Sequence, residues 1–194
     1  MRAPAFVLGY HGCDRTVGED ILSGAKHLRA SENDYDWLGS GIYFWENSAA
    51  RALEWAEAAM ANSISSARIR KPFVIGAIID LGNCLDLLEA ESIRIVGSAY
   101  ERLVEAYAEA GAKPLENREV DGKPVIRHLD CAVINYAHLL RAEAGQKTFD
   151  SVRAAFFEGE RLYPNAGFQR HTHIQICVRS HRSIIGYFRP LDLT

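Results

Sequence analysis

The order of the apolar runs limits the fold more than any other feature. Strand-like runs stand towards both ends of the 194-residue chain, and helical patterns fill its middle. Phe6-Val7-Leu8-Gly9-Tyr10 reads as a buried first strand, and residues 41–45 as a second. Residues 73–81, nearly continuous in Val74, Ile75, Ala77, Ile78 and Ile79, read as a third. Two more runs close the chain, at 173–179 and 183–189, with Ser180-His181-Arg182 between them as a hairpin or tight crossover. Strands so far apart in sequence must pair over long distances. That predicts an α+β fold rather than a doubly wound α/β one. A hydrophobic fraction of 48% suits one domain, residues 1–194, with a substantial core.

Helices are predicted over about 18–24, 49–61, 92–110 and 130–144. Asn47-Ser48 supplies capping side chains for the second of these, and Leu53, Ala56 and Met60 form its apolar face. The polar stretch 29–37 is a loop. Residues 111–128, broken by Pro114, Gly122 and Pro124, are a loop or a short hairpin, and 158–171 is a punctuated loop. There is no internal repeat and no low-complexity segment.

A net charge of −3 provides no global field for nucleic acid. Cys13, Cys84, Cys131 and Cys177 stand far apart with no C-x-x-C pair, which suits reduced thiols rather than a disulfide framework or a zinc site. Met1-Arg2-Ala3-Pro4-Ala5 lacks a signal-peptide core, and no apolar run spans a bilayer. A cytoplasmic protein without a membrane partner is expected.

Two segments carry the chemistry: Gly9-Tyr10-His11-Gly12, and Gly39-Ser40-Gly41-Ile42-Tyr43-Phe44. Glycine leaves its N–H and C=O open to close approach. Histidine adds a directional hydrogen bond and tyrosine a flat face. Together they suit a flat, amide-bearing aromatic ligand. Each has an ordinary reading when taken singly. His11 can be a buried histidine satisfied by a backbone carbonyl, and 41–44 a glycine-led core strand; their joint occurrence in this order favours the ligand.

These motifs resemble the ADP-ribosyltransferase superfamily, in the diphtheria-toxin and poly(ADP-ribose) polymerase branch, whose His-Tyr-Glu triad is spread over three strands. Tyr10-His11-Gly12-Cys13 matches the first strand's aromatic-His-Gly, with Cys13 in place of Ser or Thr. Gly39-Ser40-Gly41-Ile42-Tyr43-Phe44, followed by Asn47-Ser48-Ala49-Ala50, matches the second. The third element is an acid at the start of a late strand, where this chain has Gln175 in His173-Ile174-Gln175-Ile176-Cys177-Val178. Residues 85–150 carry no matching motif.

The resemblance implies a split β-sandwich of two antiparallel sheets with flanking helices, and NAD+ as substrate with no metal. It assigns Gly12 to the nicotinamide carboxamide and His11 to the nicotinamide-side ribose or the adenosine end. Tyr43 stacks on the ring, Ser48 adds a carboxamide bond, and Trp45 or Trp55 closes the opposite face. Cleavage of the nicotinamide–ribose bond develops an oxocarbenium-like centre that a carboxylate stabilises. Gln175 can bond a ribose hydroxyl but brings no charge. Glu158 or Glu160, in the loop that precedes the late strand and that recognises the acceptor in this superfamily, can orient or deprotonate an acceptor.

The implied activity is mono-ADP-ribosyl transfer to a protein, nucleic acid or small-molecule acceptor. A toxin or defence role would bring an antitoxin or immunity partner. An NAD+ glycohydrolase and a non-catalytic NAD+ or ADP-ribose-binding module are the alternatives. His171 and His173 lack further ligands at metal spacing, Cys13 lacks an orienting third group, and the glycine motifs lack Walker or Rossmann completion. Arg153, Arg161, Arg170, Arg179, Arg182 and Arg189 make the C-terminal part locally basic, as a solvated surface or as phosphate contacts.

Overall fold

A computed structural model of the protein describes residues 6–61, 69–120 and 123–191. Met1–Ala5, read above for a signal peptide, and Gly122, read as a loop breaker, lie outside the described residues. The fold is α+β. In chain order its elements are β1 (Phe6–Asp14), α1 (Arg15–Leu22), β2 (Ile42–Glu46), α2 (Ala49–Ala61), β3 (Pro72–Asp80), β4 (Cys84–Asp86) and α3 (Ala90–Glu109). There follow β5 (Arg118–Val120), β6 (Lys123–Ile126), α4 (His128–Glu143), β7 (Ser151–Phe156), β8 (His173–Val178), a 3₁₀ turn (His181–Ser183) and β9 (Ile184–Phe188).

Seven strands form one mixed sheet in the order β4-β7-β8-β2-β1-β3-β9. Only β4–β7 is parallel; the other neighbours are antiparallel. Residues 111–128 contain the short hairpin, β5–β6, apart from the main sheet.

β3 is paired along both of its sides, as its nearly continuous apolar run suits. It pairs with the whole of β1, from Phe6↔Asp80 to Asp14↔Pro72, and with β9 on its other side. Gly76 of β3 is needed for packing, because the Phe188 ring occupies the space a side chain would fill. Ile42, Phe44, Ile75, Ala77, Ile79, Ile176 and Val178 form the main core cluster. A second cluster around Leu85, Val152 and Phe156 lies under α4, and Ala99, Leu103, Val133 and Ala137 hold α3 to α4.

Several expectations are corrected. The first strand runs on to Asp14, because β3 supplies ladder partners along its full length, and α1 therefore begins at Arg15 rather than near Gly18. Asp14 caps that helix by accepting from the Thr16 amide at 3.0 Å. Of the hairpin and the tight crossover expected after β8, the crossover forms. The chain crosses to the opposite side of the sheet, and β9 pairs with β3. Strands β4 and β7 have no counterpart in the sequence reading. β4 is three residues long, and β7, Ser151-Val152-Arg153-Ala154-Ala155-Phe156, carries two alanines and an arginine that mute its alternation.

Candidate functional site

The sheet has one narrow seam. Between β1 and β2 only Gly9↔Glu46 and Tyr10↔Trp45 are paired, and the Asn47 amide donates to the Leu8 carbonyl at 2.9 Å beyond them. In the other direction the strands part. There the His11 ring takes over from the ladder: its Nδ1–H donates to the Tyr43 carbonyl at 2.8 Å. That bond sets the tautomer and leaves Nε2 as an acceptor. Loss of water around the ring, only partly offset by the carbonyl bond, holds His11 below the ordinary histidine range.

The parting opens a cavity of about 650 Å³, within the usual size range for small-molecule sites. His11 and Gly12 from β1, Tyr43 and Trp45 from β2, and Gln175 from β8 all line it. Arg51 and Trp55 reach it from α2, Glu158 from the segment after β7. Register places Gln175 beside Trp45 on one side and Ala154 on the other, so the three share a sheet face.

Tyr43 is held at both ends. Its hydroxyl donates to the Gly39 carbonyl at 2.7 Å and accepts from the Leu38 amide at 2.8 Å, which anchors the 31–41 loop to β2. Burial raises its pKa, so the phenol stays protonated and available as a donor. Gly39 adopts φ +76° in that turn, and a Cβ there would also approach the Asn135 side chain. A Cβ at Gly41 would strike Cys177 Sγ and lie 2.8 Å from the Val178 carbonyl oxygen, so β8 demands the glycine. Gly12 is required by α2: a Cβ would overlap the Ala52 carbonyl oxygen and come within 3.2 Å of the Trp55 ring.

The residues singled out from sequence divide into two groups. His11, Gly12, Tyr43, Trp55, Gln175 and Glu158 meet at the cavity, whereas Ser48 and Glu160 are not among its lining residues. The Ser48 hydroxyl accepts from the Arg51 amide at 3.4 Å, near the start of α2, and Glu160 is exposed in the 157–172 loop. Trp45 and Trp55 pair with each other, their ring centroids 5.7 Å apart.

Burial first, then the neighbouring Asp14 charge, pushes the Cys13 thiol up to about 12. It is therefore a packed thiol, not a nucleophile at neutral pH. No group of three or more His, Cys, Asp or Glu suited to a metal occurs among the described residues.

The polar loop 29–37 carries no site residue in the sequence reading. Arg29, Ser31, Asn33, Tyr35, Asp36 and Trp37 wall the cavity. The loop is closed at its base by reciprocal bonds between Ser31 and Gly41, at 2.8 and 3.0 Å. Two aromatics in a polar loop that leads into Gly39-Ser40-Gly41 were the available signal. Arg51 carried none, since an arginine on a helix face ordinarily meets solvent.

No family model matches the chain, and no solved structure matches it. The chain is similar to the uncharacterized protein MJ0359 of Methanocaldococcus jannaschii. The two are 27% identical over an alignment of 201 positions that covers 95% of this chain and 86% of that protein.

Proposed function

We propose that the chain is an NAD+-dependent mono-ADP-ribosyltransferase of the poly(ADP-ribose)-polymerase-like type. The carrying observation is that His11, Tyr43 and Gln175, from strands adjacent in the order β8-β2-β1, line one cavity at the seam. The cavity supplies a flat ring, main-chain polar groups and an imidazole acceptor, as nicotinamide and its ribose require.

A split β-sandwich suits the same reading. β8 and β9 have the same direction through the ladder, and a flat sheet needs a crossover of about a dozen residues to join such strands. Here the link is only residues 179–183. It closes if the sheet folds across the β1–β2 seam. The main core cluster agrees, since Ile42, Phe44, Ile176 and Val178 of one half pack with Ile75, Ala77 and Ile79 of the other.

Tyr43 and the main chain of Gly12 orient the leaving nicotinamide, a contribution of positioning. The test is release of nicotinamide from labelled NAD+ in the presence of cell lysate, with label carried to an acceptor. Tyr43→Ala abolishes release, while Trp55→Ala costs much less. The absence of release by the wild type overturns the reading. A non-catalytic NAD+-binding module is the second reading, favoured by the neutral Gln175. Calorimetric binding of NAD+ without turnover identifies it.

A further inference from the structure

We infer that Glu158, rather than Gln175 or Glu160, is the carboxylate that serves the reacting centre, as general base for the incoming acceptor; this rests on the transferase reading. The main chain at Glu158 is fixed. Its carbonyl accepts from the His171 amide at 2.9 Å, which continues the β7–β8 register two residues past Phe156↔His173. In that register Ala154, Phe156 and Glu158 alternate onto the face that carries His173 and Gln175.

The side chain lines the cavity and is 30% exposed, so it meets both the site and the solvent from which an acceptor arrives. Arg51 Nη2 lies 3.6 Å and His173 Nδ1 3.7 Å from its carboxylate. Both are too distant for strong hydrogen bonds; the Arg51 charge draws the carboxylate without occupying its lone pairs. His173 is itself held by the bond from its Nδ1 to the His171 carbonyl, at 2.6 Å. Arg51 is anchored on its other side by Glu54, at 2.6 Å. Glu160 is also held through its main chain, its carbonyl accepting from the Arg170 amide at 2.9 Å, but its side chain is exposed and outside the cavity lining.

In the step this assigns, the ribose C1′–nicotinamide nitrogen bond breaks and its electron pair leaves with neutral nicotinamide. An acceptor hydroxyl oxygen bonds to C1′, and its proton passes to the Glu158 carboxylate. Water in place of the acceptor gives hydrolysis with the same proton balance.

The experiment compares wild type, Glu158→Gln, Glu158→Ala and Glu160→Gln for nicotinamide release and for NAD+ affinity by calorimetry. Expected is a loss of about 100-fold or more in turnover for Glu158→Gln, with NAD+ affinity kept within about threefold. Added formate restores part of the Glu158→Ala activity, which a purely structural role would not allow. An active wild type with Glu158→Gln equally active overturns the assignment to Glu158 alone. So does loss confined to Glu160→Gln, or a loss of affinity in Glu158→Gln that matches its loss of turnover. A wild type that releases no nicotinamide overturns the transferase reading and this assignment together.

Discussion

His11 Nδ1 lies 2.8 Å from the main-chain carbonyl of Tyr43, at the point where β1 and β2 stop pairing. One side chain thus satisfies the carbonyl that a ladder amide would otherwise meet, and holds open the seam from which the cavity grows. Replacing His11 with Ala leaves that carbonyl without its partner. The expected cost is about 1–3 kcal/mol in urea unfolding, together with loss of NAD+ binding by calorimetry. Unchanged stability would mean that the two strands re-pair when the ring is gone.

Tyr43 has separable roles. Tyr43→Phe keeps the ring but removes the bonds to Leu38 and Gly39. It should cost about 1–3 kcal/mol of stability and speed amide exchange in the 31–41 loop. Nicotinamide release should fall less than in Tyr43→Ala, which loses the stacking face as well. Equal losses in the two variants would assign the activity to the hydroxyl.

Two glycines should respond with opposite signs. Gly12→Ala drives a Cβ into the Ala52 carbonyl of α2 and should lower stability by about 1–3 kcal/mol. Gly97, inside α3, has open space where a Cβ would stand. Gly97→Ala should raise stability by about 0.5–1 kcal/mol, as expected for a helix interior. Denaturant midpoints of the two variants check both signs.

Acid should weaken the fold in two stages. His138 packs edge-on to Phe149, with ring centroids 5.4 Å apart, and its pKa is held down to about 3. Burial is the main cause, followed by the Arg179 and Arg141 charges. The unfolded chain takes up this proton near pH 6.5 and the folded chain resists it. The associated stability is therefore complete above about 6.5 and is lost as pH falls below it. By pH 5 the loss from this residue is about 2 kcal/mol. His138→Leu should accordingly be more stable than wild type at pH 5, and closer to it at pH 7.5. Asp14 acts at lower pH. Amides of Arg70 and Lys71 hold its carboxyl down to about 2, so its contribution disappears as pH falls from about 4 towards 2. Urea titrations at stepped pH test both stages.

Much of the frame was legible in the sequence because its signals are local. The apolar run at 73–81 and the helical spacing at 49–61 survive nearly unchanged as β3 and α2. Gly39 and Gly41 marked a turn that β8 and α4 do require. Strands β4 and β7 were illegible, because short segments with alanine and arginine acquire strand geometry from their neighbours. The resemblance implies a carboxamide bond from Ser48, whereas its hydroxyl meets the Arg51 amide at the start of α2, in line with the capping expected of Asn47-Ser48.

By itself, the sequence determined the α+β class, the two glycine-bearing motifs and the residue types available to a nicotinamide-like ligand. Each depends on chemistry or periodicity within a few neighbouring residues. Only the tertiary structure decided that Gln175 sits beside Trp45, that Arg51 and the 31–37 loop line one cavity with His11, and that Glu158 rather than Glu160 reaches it. Those relations depend on strand order and on a one-residue parity in register. The β2–β8 pairing joins segments more than a hundred residues apart and the β7–β8 pairing fixes the parity of Glu158, and no local pattern encodes either.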